Sequence, residues 1–189
     1  MDKQIILLTG HSHAGKTKLA KALVGRYGMD YISTSSLVRE KATRAQAAVI
    51  FATAGVDNDL MIRLLDISLE DTSSPVIIDS LRSVEQIRWL TVEKFPNSRV
   101  VTVHLDIRLP AIRSRFEAEF GQRDGRISIS LLAEKLRKHQ DAFPYMLDCL
   151  RKNTRFNTFS AEQDFNSLMA EVCVCLEDNL TLTAVAGAD

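Results

Sequence analysis

The sequence predicts a three-layer α/β fold: a five-stranded parallel sheet covered by helices. Two observations carry this. Short apolar segments of strand length, such as Gln4 to Thr9 and Val76 to Ile78, read as strands buried on both faces. They alternate along the chain with segments whose apolar residues recur at helical spacing, which implies right-handed crossovers and a parallel sheet. In such a sheet ligands bind at the carboxyl ends of the strands. The residues to question are therefore Gly10 to Thr17, Ser33 to Ser36, Asp79 to Arg82, and those from Asp106 onward.

The elements follow in order. Gln4 to Thr9 is the first strand. From Thr17 the spacing of Leu19, Leu23 and Tyr27, with Ala20 and Val24, gives a helical stripe that Gly28 stops. Tyr31 to Ser33 reads as a brief second strand, followed by a helix to about Ala52. A helix from about Asp57 puts Leu60, Met61, Leu64, Leu65 and Leu69 on one face, and Val76 to Ile78 is the third strand. Ser83 and Gln86 form a capping box for the next helix. Arg99 to Leu105 is strand four, Pro110 starts a helix, and further helices cover about Ser130 to Arg151. Arg155 to Phe159 is a weaker fifth strand. Ser160 and Gln163 read as a second capping box, before a helix lined by Phe165, Leu168, Met169, Val172 and Leu176. This makes one domain over residues 1–179, with a flexible tail over 180–189.

Composition narrows the function. Lys plus Arg and Asp plus Glu number 24 each, so no global basicity points to a nucleic-acid duplex or a membrane surface. No apolar run approaches the roughly 18 residues of a membrane span, and the N-terminus lacks the pattern of a signal peptide. The three cysteines read as reduced thiols in a cytoplasmic protein, as a monomer or small homo-oligomer. Cys173 and Cys175 point in different directions on a helix and make a poor metal pair.

The chemistry begins at the first strand's end. The residues Gly10, His11, Ser12, His13, Ala14, Gly15, Lys16 and Thr17 fit G-x-x-x-x-G-K-[ST], after a buried strand and at a helix start, as a phosphate-binding P-loop requires. The glycines let consecutive backbone N–H groups face inward, and the helix N-terminus adds partial positive charge. Lys16, a surface charge while the site is empty, reaches the β- and γ-phosphates of ATP, and the Thr17 hydroxyl ligates Mg²⁺. A metal site built on His11 and His13 is the alternative, with no third ligand nearby.

Past this loop, Tyr31 to Glu40 (YISTSSLVRE) resembles the I-S-T-G-D-x-L-R segment of adenylate kinases. The stretch VIIDSLRSVEQ resembles D-G-F-P-R-T-x-x-Q, and AIRSRFEAEFGQRDGR the arginine-bearing helix and short lid. RFNTFSAEQDF resembles the closing strand, turn and helix. The chain thus resembles the P-loop nucleoside monophosphate kinases from about Ile5 to Val174. The resemblance implies acceptor-binding helices over about 34–70 and a lid over about 117–130. It places Thr34, Arg39, Arg82 and Gln86 at the acceptor nucleotide, Asn157 near the donor base, and Arg123 and Arg126 closing over the phosphates. His13 and Thr17 stand where adenylate kinases have glycine, and Ser35 and Ser36 replace G-D. The Asp79 to Arg82 segment is one residue shorter than D-G-F-P-R, closer to phage-type deoxynucleoside monophosphate kinases.

Plainer readings stand beside these. Gln86 closes the capping box, or reads a base. Arg39, Arg113 and Arg115 are solvated helix residues unless a ligand claims them. Asp79 holds Mg²⁺ through water, or takes a proton from a hydroxyl acceptor. Small-molecule kinases of this fold carry an acceptor-activating Asp after strand two, where this chain has Ser33 to Ser36. That favours a phosphate acceptor, which needs no general base. The expected function is γ-phosphoryl transfer from ATP with Mg²⁺ to a nucleoside or deoxynucleoside monophosphate. A kinase with a hydroxyl acceptor and a nucleotide-binding regulatory switch are the alternatives.

Overall fold

The computed structural model describes residues 3–41, 58–72, 75–120 and 143–185, without the side chains of residues 38, 39, 41, 119 and 120. Its centre is a five-stranded sheet in the order β2-β3-β1-β4-β5, every pairing parallel. The strands are β1 (Gln4–Gly10), β2 (Asp30–Ser33), β3 (Val76–Asp79), β4 (Arg99–Asp106) and β5 (Arg155–Ser160). The helices are α1 (Lys16–Tyr27), α2 (Thr34–Lys41), α3 (Asn58–Glu70), α4 (Val84–Arg88, continued by a π-helical turn Trp89–Lys94), α5 (Leu109–Phe120), α6 over 143–153 and α7 (Phe165–Asn179).

Strand β1 shows why both faces must be covered. Ile6 and Leu8 face a core completed by α1, α5 and α7, while Ile5 and Leu7 face a second core completed by α2, α3, α4 and α6. Each of these four side chains is at most 2% exposed, and each fully buried aliphatic side chain contributes about 1.5–3 kcal/mol. The expected five-stranded parallel sheet under two helical layers is the architecture found.

Local signals hold at some boundaries and shift at others. Gly28 ends α1 in the left-handed conformation (φ 63), its N–H donating to Val24 O at 2.8 Å. Ser83 caps α4 by accepting from Gln86 N–H at 3.1 Å. The second capping box does not form. Asp164 caps α7 instead, accepting from the N–H groups of Asn166 and Ser167 at 3.0 Å each, because the turn after β5 extends through Gln163. The segment 180–185, expected to fray, docks: Leu180 is 4% exposed in the core, and Val185 N–H donates to Arg26 O at 2.8 Å. The continuation of α2 toward Ala52 and most of the segment 130–151 lie outside the described residues.

Topology then selects the site. From β1 the chain crosses to β2 on one side of the sheet, and from β4 it crosses to β5 on the other. The connections diverge at adjacent strands β1 and β4, which opens a crevice at their carboxyl ends. Gly10 lies there, paired with Leu105.

Candidate active site

At the end of β1 the backbone runs so close to β4 that a Cβ on Gly10 would lie 2.5 Å from the carbonyl oxygen of Leu105. Its φ of 140 adds a conformational reason for glycine. The loop then turns through His13 (φ 63) and Gly15 (φ 95), both left-handed. Gly15 is the N-cap of α1 and supplies no side-chain cap, so the positive end of α1 is left to whatever the loop holds.

The Lys16 ammonium folds over this loop, donating to the carbonyl oxygens of Gly10 and His11, each at 3.0 Å. Burial lowers its pKa; Asp79 opposes that effect and Arg82 adds to it. Lys16 is therefore a half-buried, partly desolvated cation held by two neutral acceptors, rather than a freely solvated surface charge. An arriving phosphate would add negative charge to that of Asp79.

On the side of β1 away from β4, Asp79 ends β3 beside Leu8 and is 4% exposed. Its Oδ1 accepts from the Ser80 hydroxyl at 2.5 Å and its Oδ2 from the Tyr31 hydroxyl at 3.2 Å. Burial first, and then the Asp79 charge, raise the Tyr31 pKa, while the nearby Ser33 and Thr17 hydroxyls oppose that shift. Thr17 and Asp79 thus both lie near the Tyr31 hydroxyl, and Asp79 is hydrogen-bonded to it. Two hard oxygen donors at the rim of a phosphate loop fit Mg²⁺. Among the described residues there is no cluster of three or more His, Cys, Asp or Glu side chains suited to a metal, so the His11–His13 alternative gains no third ligand.

Ser80 also takes a left-handed φ of 71, donating its N–H to Leu8 O at 3.1 Å. Its carbonyl accepts from the hydroxyl of fully buried Thr34 at 2.8 Å. Thr34 therefore ties the start of α2 to the turn after β3. Gln86 is fully buried: its Oε1 accepts from Arg82 N–H at 2.9 Å and its Nε2 donates to Asn58 Oδ1 at 3.0 Å. The side chain thus ties the Arg82 N–H to Asn58 at the start of α3, one residue away from the Ser83 N–H that a reciprocal capping box would engage. The half-buried Arg82 lies close enough to Lys16 to depress its pKa.

On the other flank is a residue that the sequence does not distinguish from its neighbours. Arg115 of α5 donates to His13 O at 3.0 Å and to Ala161 O at 2.5 Å, while the ring of Phe116 meets the His13 ring edge-on at 5.4 Å. Arg113, two residues earlier, is exposed and paired with Glu117. Only the packing of α5 separates the two arginines. Below the loop, His11 and buried His104 both pack on Phe143, at ring separations of 5.0 and 5.7 Å. Burial lowers the pKa of both histidines.

No family model and no curated protein matches this chain. Among solved structures it is similar to the unliganded sugar kinase from Janibacter sp. HTCC2649, at 18% identity and a TM-score of 0.60, covering 93% of this chain and 95% of that one. The chain shares that kinase's fold.

Within the shared fold, the structure gathers Gly10 to Thr17, Asp79 and Arg82 around one crevice. Asn157 falls short of it. It pairs with Val103 on edge strand β5, two residues before the level of Gly10 and Leu105, and its amide donates to Arg155 O at 3.3 Å. The backbone of Arg39 lies on α2, but its side chain is outside the described residues, as are Arg123, Arg126 and most of the expected lid.

Proposed function

We propose that this chain is an ATP-dependent phosphotransferase, and that its acceptor is a nucleoside or deoxynucleoside monophosphate. The observation that carries the proposal is the loop Gly10 to Thr17 at the carboxyl end of the central strand, with Lys16 desolvated above it and Asp79 and Arg82 alongside. Phosphoryl transfer asks a protein for alignment and charge neutralisation rather than covalent chemistry. The amides at the start of α1 and the Lys16 ammonium would bind the β- and γ-phosphates of ATP. Thr17 and Asp79 would hold Mg²⁺, which neutralises phosphate charge when bound. Arg82 would orient the acceptor phosphate.

The acceptor class follows from where carboxylates are missing. Ser33 to Ser36 at the end of β2 offer hydroxyls, with Ser33 and Ser35 bonded to each other at 3.0 Å. Asp79, the carboxylate at this rim, is buried and accepts two hydroxyl bonds, a poor state for a general base. A phosphate acceptor, ionised at neutral pH through a second pKa of about 6, needs no base.

The fold shared with a sugar kinase favours a second reading, a hydroxyl acceptor deprotonated by Asp79. One panel separates the two. ADP formation from ATP with Mg²⁺ is followed with each ribo- and deoxyribonucleoside monophosphate, then with sugars and sugar acids. Acceleration by a monophosphate supports the first reading, and acceleration by a sugar replaces it with the second. Tight ATP binding with no acceleration by either class would move the assignment to a regulatory nucleotide switch.

A further inference from the structure

We infer that Arg115 is a positioning residue for the phosphate loop: it holds the peptide between His13 and Ala14 so that the Ala14 N–H faces the bound phosphates. The inference rests on the phosphotransferase reading and adds a residue to its machinery.

The argument starts from His13, whose left-handed φ of 63 is one that a residue with a Cβ rarely adopts. Something must hold it there. Helix α5 grips it twice: the Arg115 Nη1 donates to its carbonyl oxygen at 3.0 Å, and Phe116 packs edge-on against its ring. The guanidinium is itself braced, since Nη2 donates to Ala161 O in the turn after β5. The charge of Arg115 is also felt by Glu162 in that turn, whose carboxylate Arg108 binds through both oxygens. Arg115 is thus a half-buried, two-ended strut between the β5–α7 turn and the phosphate loop.

A trans peptide is planar, so the C=O of one residue and the N–H of the next point in opposite directions. With His13 O drawn outward to Arg115, the Ala14 N–H must point back across the loop. There it donates to His11 O at 3.2 Å, a long bond inside the loop that a phosphate oxygen can displace. Without the strut, only the 3.2 Å bond to His11 O and the Phe116 contact with the His13 ring oppose rotation of this peptide. Rotation would relieve the left-handed turn and present a carbonyl where an anion expects a donor. Lysine reaches one carbonyl and leaves the other, so it replaces half of the strut.

The test compares wild type, Arg115→Ala, Arg115→Lys and the exposed control Arg113→Ala. Each is titrated with Mg²⁺-ATP and with magnesium pyrophosphate, with thermal melting as the check on folding. The Ala14 amide resonance is followed in the same titrations. Losing one amide bond to an anionic ligand predicts about a tenfold or greater weakening for Arg115→Ala. Arg115→Lys should fall between, and Arg113→Ala should match wild type. Guanidinium ion at a few millimolar, far below denaturing levels, should restore affinity to Arg115→Ala and return the ligand-induced shift of the Ala14 amide. A folded Arg115→Ala that binds both ligands as wild type overturns the inference. So does lost affinity that guanidinium leaves unrelieved while the Ala14 amide shifts as in wild type. Should Arg115→Ala fail to fold, wild-type affinity in folded Arg115→Lys overturns it equally. Wild type that binds neither ligand instead removes the phosphotransferase reading.

Discussion

Lys16 and Gly10 occupy the same loop, yet they answer to opposite constraints. The ammonium of Lys16 is desolvated and held by two carbonyls, so removing it relieves a buried charge while leaving two acceptors without their donor. Lys16→Ala should therefore keep its stability within about 1 kcal/mol, read by denaturant unfolding, while transfer falls by about a hundredfold or more. Loss of folding in this variant would give the lysine a structural role in place of the functional one. Gly10→Ala behaves differently, because its Cβ would lie 2.5 Å from Leu105 O at a φ of 140. Strain and overpacking together should cost about 2–4 kcal/mol, whether or not nucleotide is present. His13 and Ser80 carry left-handed φ values of 63 and 71 with side chains attached. His13 stands where the resemblance to adenylate kinases places glycine, and it takes the left-handed backbone that glycine favours.

At the scale of elements, the turn after β3 carries Arg82, the residue proposed for the acceptor. Arg82 follows Asp79 by three residues, and its N–H is fixed by the buried amide of Gln86. Its guanidinium is thereby started in one direction. Arg82→Lys should weaken transfer to a phosphate acceptor by about tenfold, since lysine lacks the two-pronged grip, while ATP affinity stays near wild type. Equal weakening for both ligands would place Arg82 with the donor. The last element shows a different dependence. Leu180 closes the core beyond α7, its N–H bonded to Leu176 O at 2.8 Å. Leu180→Ala should cost about 2–3 kcal/mol in urea unfolding, and an unchanged midpoint would mean that the docked tail adds nothing to the fold.

For the whole molecule, stability should depend on acid in two windows. Burial lowers the pKa of His104 first of all, with Arg151 and His11 acting in the same direction against Asp106. The unfolded chain therefore takes up a proton near pH 6.5 that the folded chain refuses. Stability is full above about pH 6.5 and declines as pH falls through the lowered folded value. His11 adds to this decline, its pKa lowered by burial and by Lys16. His104→Phe should flatten the fall of melting temperature between about pH 7 and 5; an unchanged slope would assign the effect to other groups. Further down, Glu162 is held at about 2 by its bonds to Arg108. Its contribution is present above its unfolded value and disappears as pH drops toward 2.

How much of this was legible depends on the range of the forces involved. The five strands, the alternation with helices, the phosphate loop and the Ser83 cap follow from residues adjacent in the chain, where periodicity and fixed spacing carry the information. The sequence by itself therefore determined the layered α/β fold and pointed to the carboxyl ends of the strands for the candidate site. Tertiary structure alone decided what the side chains do there. The desolvation of Lys16 arises from the enclosure around it. The bond of the Tyr31 hydroxyl to Asp79 joins two segments, and the grip of Arg115 on His13 and Ala161 joins three. Arg113 and Arg115 are alike in sequence and stand two residues apart on one helix, but a step of two residues turns an α-helix by about 200°. One guanidinium faces solvent and the other faces the loop, because what covers each side of a helix is set by contacts across the molecule, on which local spacing is silent.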